Sequence, residues 1–207
     1  MKAAMKNKDR FAKRLAHLGM IGMAAMVLAG CSGGSSSGTE VADEVAVDPG
    51  VVSQAVNIPT LITPEVLAAL NTGALITQAQ AALVSSSILA SMAGNYSARS
   101  NEFIKYGQLS ALPAVFTGNV TIDAAGNATM SARILGVQNI QIGDFSASGK
   151  VSVGGQLEMT VSDYNGESTN PELKGAKLTG TITAGEGTIK DGKVSASATS
   201  SWSATKQ

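Results

Sequence analysis

From about Phe103 to the C-terminus, apolar and polar side chains alternate with a period of two. Val120 and Ile122 alternate with Asn119, Thr121 and Asp123, and Ala128, Met130, Ala132 and Ile134 with Thr129, Ser131 and Arg133. Val151 and Val153, then Leu157, Met159 and Val161, then Leu178, Ile182 and Ala184 continue the pattern. In the last run Val194, Ala196, Ala198, Trp202 and Ala204 oppose Ser195, Ser197, Thr199, Ser201 and Ser203. One apolar face and one hydroxyl face predict antiparallel strands covered on one side only. Turn signals fall between the runs at spacings of about 8–12 residues. They are Ala125-Gly126-Asn127, Ser148-Gly149, Gly154-Gly155, Asn165-Gly166 and Asp191-Gly192. Three hairpin-like units result, over residues 120–134, 151–161 and 189–202. Short connections make a meander, which either closes into a small barrel or stacks as a sandwich. Ile140 and Ile142 have even parity but Phe145 and Ala147 odd, which predicts a bulge or turn near Gly143-Asp144. Residues 165–172, with Pro171, read as a loop.

The period before this region is helical. Thr63-Pro64-Glu65 supplies an N-cap, a proline for the first helical position and an acid at the positive end of the helix dipole. Ile62 is placed to staple against Leu67. Asn71-Thr72-Gly73 is a break, and a second helix follows over residues 74–93, closed by Gly94-Asn95. Ala81, Val84, Ile88 and Met92 lie on one side of it, and Leu75, Ala79 and Leu83 on another. No charged residue occurs between Glu65 and Arg99, which leaves a membrane-contacting segment open as a reading of residues 74–93. Gln78, Gln80 and Ser85-Ser86-Ser87 oppose it, and small residues on several faces suit close packing on a sheet. The expected contact joins Ala81, Leu83, Val84, Ile88 and Met92 to Met130, Ile134, Leu157, Met159 and Trp202. The expected fold class is mainly β with an N-terminal helical segment: an antiparallel meander, small barrel or sandwich, covered by one or two Ala-rich helices.

The N-terminus has a different logic. Lys2, Lys6, Lys8, Arg10, Lys13 and Arg14 precede an apolar run over residues 15–29. This is the layout of a secretory signal, and the run is shorter than the roughly 20 apolar residues of a spanning helix. Its end, Leu28-Ala29-Gly30-Cys31, resembles the lipobox of bacterial lipoproteins. That resemblance implies a diacylglyceryl group on the Cys31 thiol, cleavage before Cys31, and a further acyl chain (palmitate or its like) on the new amino group. Two or more chains make a durable anchor at about 0.8 kcal/mol per buried CH₂. Ser32 after the cysteine implies the outer membrane by the same family's sorting rule. Residues 32–58, Ser- and Gly-rich and then acidic, read as a flexible tether. Some 25 such residues have an r.m.s. reach of about 28 Å. The expected organisation is a signal peptide over 1–30, lipidated cysteine and tether over 31–58, a helical segment over 59–98 and a β-domain over 99–207.

Removing the signal changes the charge. The full chain has 15 basic and 15 acidic residues; beyond residue 30 there are nine bases and 14 acids, a net charge of −5. A phosphate-binding surface needs clustered Lys and Arg, so nucleic acid is excluded as a partner. His17, the one histidine, lies in the signal, and Cys31 is the one cysteine. Zinc sites of His or Cys and Ser-His-Asp or Cys-His nucleophiles are therefore excluded from the mature chain. No catalytic, cofactor-binding or metal residue is assigned. Asp163-Tyr164-Asn165-Gly166-Glu167 places oxygens at alternate positions, but Gly166 and Lys174 misplace the glycine and the last ligand of a calcium loop. It reads as an Asn-Gly turn. Glu158, beside Thr160 and Ser162 and on the same kind of face as Arg133, reads as surface charge. Thr179, Thr181 and Thr183 form a row that suits a wet strand or a flat ligand.

Anchor, tether, helix and small meander together resemble surface lipoproteins of the transferrin-binding and factor-H-binding kind. Val120-Thr121-Ile122-Asp123, followed by Ala124-Ala125-Gly126-Asn127 and an alternating strand, looks like one barrel hairpin of those families. The expected function is a non-catalytic binding or structural role at the outer membrane. Its partners are the membrane, through lipid on Cys31, and an envelope or surface protein. Two alternatives stand beside it: a carboxylate-based glycan-acting enzyme, and a surface-exposed host- or ligand-binding lipoprotein.

Overall fold

The computed structural model describes residues 43–100, 114–166, 173–195 and 197–207. The helical part comes first: β1 (Glu44–Val45), α1 (Pro49–Ala55), α2 (Pro64–Thr72), β2 (Ile76–Thr77) and α3 (Gln78–Met92). Eight strands follow: β3 (Gly94–Ser100), β4 (Val115–Ile122), β5 (Asn127–Leu135), β6 (Gln141–Val151), β7 (Gln156–Gly166), β8 (Lys177–Ile182), β9 (Thr188–Val194) and β10 (Ser197–Lys206). Each pairs antiparallel with its neighbour in sequence, and β10 returns to β3, so the meander is a closed barrel rather than a sandwich.

Alternation fixes which side chains fill it. Phe116, Val120 and Ile122 on β4, Met130 and Ile134 on β5, Leu157 and Met159 on β7 and Trp202 on β10 are all buried. Their neighbours Asn119, Ser131, Arg133, Glu158 and Thr160 are exposed. A barrel of eight strands is just narrow enough for side chains to fill. The wall is thus polar outside and apolar inside, the reverse of the lipid-facing band of a transmembrane barrel. Glycines admit the tightest approaches: a Cβ on Gly149 would lie 1.9 Å from the Glu158 carbonyl oxygen across the β6–β7 ladder.

Parity breaks where expected, by one residue. Ile134 pairs with Gly143 but Leu135 with Gln141, so Ile142 is the extra residue of the bulge. Three turn signals are corrected. Ser148 and Gly149 pair with Thr129 and Ala128 inside β6. Asn165 and Gly166 pair with Asp144 and Gly143 at the end of β7. Asp191, at φ 53°, bulges within β9 and lets Ile189 and Gly192 both point inward. Small flexible residues serve bulges and close strand approaches as readily as turns, and composition alone does not separate the three.

The end of the barrel that carries the β4–β5, β6–β7 and β8–β9 turns is covered by the helical part. Thr77 caps α3 reciprocally with Gln80, its hydroxyl accepting from Gln80 N at 3.2 Å and its own N–H donating to Gln80 Oε1 at 2.9 Å. Val84, Ile88 and Met92, one helical turn apart, are its buried stripe. At its C-terminus the buried Tyr96 hydroxyl donates to the Met92 carbonyl, and burial raises the Tyr96 pKa. Leu89 approaches Gly126 in the β4–β5 turn.

Four expectations about this region are corrected. Residues 44–58 are structured rather than tether. Asp48 caps α1 by accepting from Gly50 N at 2.7 Å, Pro49 opens the helix, and Ala55 and Ile58 are buried. The Pro-Gly pair starts a helix here, and the spaced apolar residues among the acids supply its burial. Leu83 is 67% exposed and faces away from the barrel. Trp202 and Ile134 sit toward the far end, since Trp202 pairs with the last residue of β3 and Ile134 with Phe116 near the start of β4. The strand region begins at Gly94, ahead of the expected boundary at 99.

One buried polar side chain fastens the cover. Gln54 of α1 accepts from Ala184 N at 2.7 Å and donates to Gly154 O at 3.3 Å, bridging the β6–β7 and β8–β9 turns. Gln54→Ala strands the buried Ala184 N–H, which costs about 1–3 kcal/mol. The expected result is a lowered urea midpoint with an unchanged m-value.

Candidate functional site

At the opposite end β3, β5, β7 and β9 finish and β4, β6, β8 and β10 begin. Its described centre is the β5–β6 hairpin. Gly136 N donates to Ile140 O at 2.8 Å, and Ile140 N to Val137 O at 3.3 Å. Gln138 and Asn139 hold φ values of 59° and 61°, the geometry of a tight two-residue hairpin turn. The turn lifts Val137 and Ile140 out of the barrel, 48% and 61% exposed. Beside it lies a shallow groove of about 440 Å³ lined by Gln141, Ile142, Gly143, Asp144, Asn165 and Gly166. The floor of the rim is aromatic: Phe116 and Phe145 pack edge to face at 5.4 Å, and Trp202 lies 6.3 Å from Phe116.

Register also orders the outer wall. Arg99, Thr117, Arg133, Asp144 and Asn165 stand on one row across β3 to β7. Glu158 stands on a different row, opposite Lys150, and is ion-paired with Lys177, both side chains being well exposed. Glu158 and Arg133 are therefore not brought together. The Asp163 region is strand rather than turn; Asp163 accepts from Tyr164 N at 3.0 Å and Glu167 lies outside the described residues. Thr179 and Thr181 are on the wall of β8, and Thr183 falls in the β8–β9 turn. Among the described residues no group of three His, Cys, Asp or Glu side chains could hold a metal ion. Cys31 lies outside the described residues.

Sequence reasoning missed one juxtaposition. Asp163 pairs with Ser146 and Asp144 with Asn165, so the two carboxylates are diagonal neighbours across β6 and β7. Diagonal positions lie about 7–8 Å apart. They are on the outer wall, Asp163 exposed and Asp144 half-buried at the shallow groove. The signal was available only through strand register. At the covered end Asp123 accepts from Ala125 N, Asn127 N and Asn127 Nδ2, and these bonds, Asn127's first, hold its pKa below the usual carboxylate value. That is turn chemistry rather than catalysis.

Neither a protein-family model, a curated protein nor a solved structure matches this chain.

Proposed function

We propose that this protein is an outer-membrane lipoprotein, anchored through Cys31, with a non-catalytic binding or structural role. The observation that carries the binding role is the asymmetry of the barrel. One end is sealed by the helices, whereas the other presents an apolar hairpin tip beside a polar groove. Val137 and Ile140 stand exposed together at the hairpin tip, and adjoining apolar surface rimmed by polar residues supports an interaction site. Anchoring rests on the sequence: Leu28-Ala29-Gly30-Cys31 behind a basic and apolar segment. The partner is an envelope or surface protein that covers the rim.

The experiment has two arms. Metabolic labelling with a fatty acid tags the wild-type protein, and Cys31→Ala abolishes the tag; a mutant that stays labelled overturns the anchor. Capture from envelope extract with the wild-type chain then returns a partner that the double variant Val137→Ser/Ile140→Ser loses by tenfold or more. Equal capture by both chains overturns the rim.

The enzyme alternative has one observation in its favour, the diagonal pair Asp144 and Asp163. Carboxylates at a spacing of about 6.5–9.5 Å suit inverting glycoside hydrolysis, but that chemistry needs both acids in one sugar site, and only Asp144 lines the shallow groove.

A further inference from the structure

The helical cover is itself unfinished. On α3 the residues Ala79, Ala82, Leu83, Ser86 and Ala90 are exposed and fall on one side, opposite Val84, Ile88 and Met92. That outer side carries no charge. Its serine is also muted, because the Ser86 hydroxyl donates to the helix's own Leu83 carbonyl at 2.9 Å. A surface helix ordinarily sets a charged face against its buried one, and this helix has none. Leu61 and Leu75, in the same layer, are 55% and 53% exposed.

The chain itself says what lies opposite. Asp43 O accepts from Gln78 N at 3.0 Å, so the polypeptide enters the fold at the N-terminus of α3. Cys31 is twelve residues earlier. Even fully extended, that length spans about 40 Å, so a lipid on Cys31 would hold the N-terminus of α3 within that distance of the bilayer. With 15 residues α3 is about 22 Å long, too short to cross a hydrocarbon core of about 30 Å, and no helix among the described residues is long and apolar enough to span a membrane. Contact of this helix with lipid would therefore be along its side, in the interface.

We propose that the outer face of α3, with Leu83 at its centre, docks on the bilayer that holds the Cys31 lipid. This rests on the anchor proposed above. The bilayer is one of zwitterionic headgroups, since the exposed acids Asp43, Glu44, Asp48 and Glu65 of the same segment repel an anionic surface. Docking there turns the Val137–Ile140 rim away from the membrane, where a partner reaches it.

The test supplies the tether chemically, so that it is readable whether or not cells lipidate Cys31. Residues 31–207 with Cys31→Ser and Ala82→Cys have one thiol, which takes an environment-sensitive fluorophore. An N-terminal hexahistidine tag holds the chain on phosphatidylcholine vesicles containing a nickel-chelating lipid. The expected result is a blue-shifted emission, quenched several-fold by spin-labelled lipid. Neither change appears with the probe on Ser131→Cys of the barrel wall, and adding Leu83→Asp removes both from position 82 without moving the melting temperature. Replacing a third of the lipid by phosphatidylglycerol weakens the quenching. The same solvent-exposed emission at positions 82 and 131 overturns docking. A blue shift already present without vesicles identifies contact with a second copy and overturns it equally.

Discussion

Ile88→Asp is expected to release the helical cover from the barrel and to lower the melting temperature by well over 10 °C. Ile88 is fully buried, the middle of the Val84–Ile88–Met92 stripe over the barrel end. The substitution forfeits about 1.5–3 kcal/mol of apolar burial. It also places a carboxylate where burial costs several kcal/mol more, unless local unfolding lets water in. Against a typical total stability of 5–15 kcal/mol, that is enough to detach or unfold the element. Thermal melting followed by circular dichroism checks the loss, and limited proteolysis shows whether cleavage begins in residues 74–93. Leu83→Asp on the same helix is the control, because Leu83 is 67% exposed and its melting temperature should not move. Equal melting of wild type and Ile88→Asp would show that the stripe carries no stability.

Trp202→Ala is expected to cost about 3–5 kcal/mol, the usual loss for emptying a large buried aromatic site. The indole is 1% exposed, leans on Phe116, and donates from Nε1 to the Lys193 carbonyl at 3.3 Å. It cannot be replaced by relaxation of its neighbours. The opposite position on β9 is Gly192, where a Cβ would come within 2.6 Å of the ring. The small residue and the large one are a matched pair, so removing the indole leaves a void beside a glycine that has no side chain to fill it. Urea titration followed by circular dichroism measures the effect, since the variant has no tryptophan to report by fluorescence. Gly192→Ala tests the same pair from the other side and should destabilise through overlap.

Both predictions concern residues whose place the pattern already marked, Ile88 by helical spacing and Trp202 by strand alternation. A period of two over the short runs from Val120 onward dictates one face in and one face out, because successive side chains of a strand point to opposite sides; β3, over Gly94–Ser100, fell mostly in the expected helical segment. The helix over 74–93 was legible in the same way, from the absence of breakers between Gly73 and Gly94 and from the spacing of Val84, Ile88 and Met92. Its first residues were not. Ile76 and Thr77 form β2 against β1, and a two-residue strand has no period to detect. The structured stretch at 44–58 was hidden for a related reason: acids and a Pro-Gly pair mark its composition, while its burial comes from tertiary contacts, as where Gln54 meets Ala184 and Ile58 lies near Gly185.

The candidate surfaces divide along the same line. The Leu28-Ala29-Gly30-Cys31 motif, the polar faces of the strands and the absence of histidine and cysteine beyond residue 31 are properties of residue identity and order, so the sequence by itself determined them. Closure of the meander, the diagonal pairing of Asp144 with Asp163, the exposure of Leu83 and the projection of Val137 and Ile140 were decided by the tertiary structure alone. Each depends on register or on which end of a barrel a turn occupies. Those follow from pairing energies between strands and helices distant in sequence, and a local pattern does not contain them.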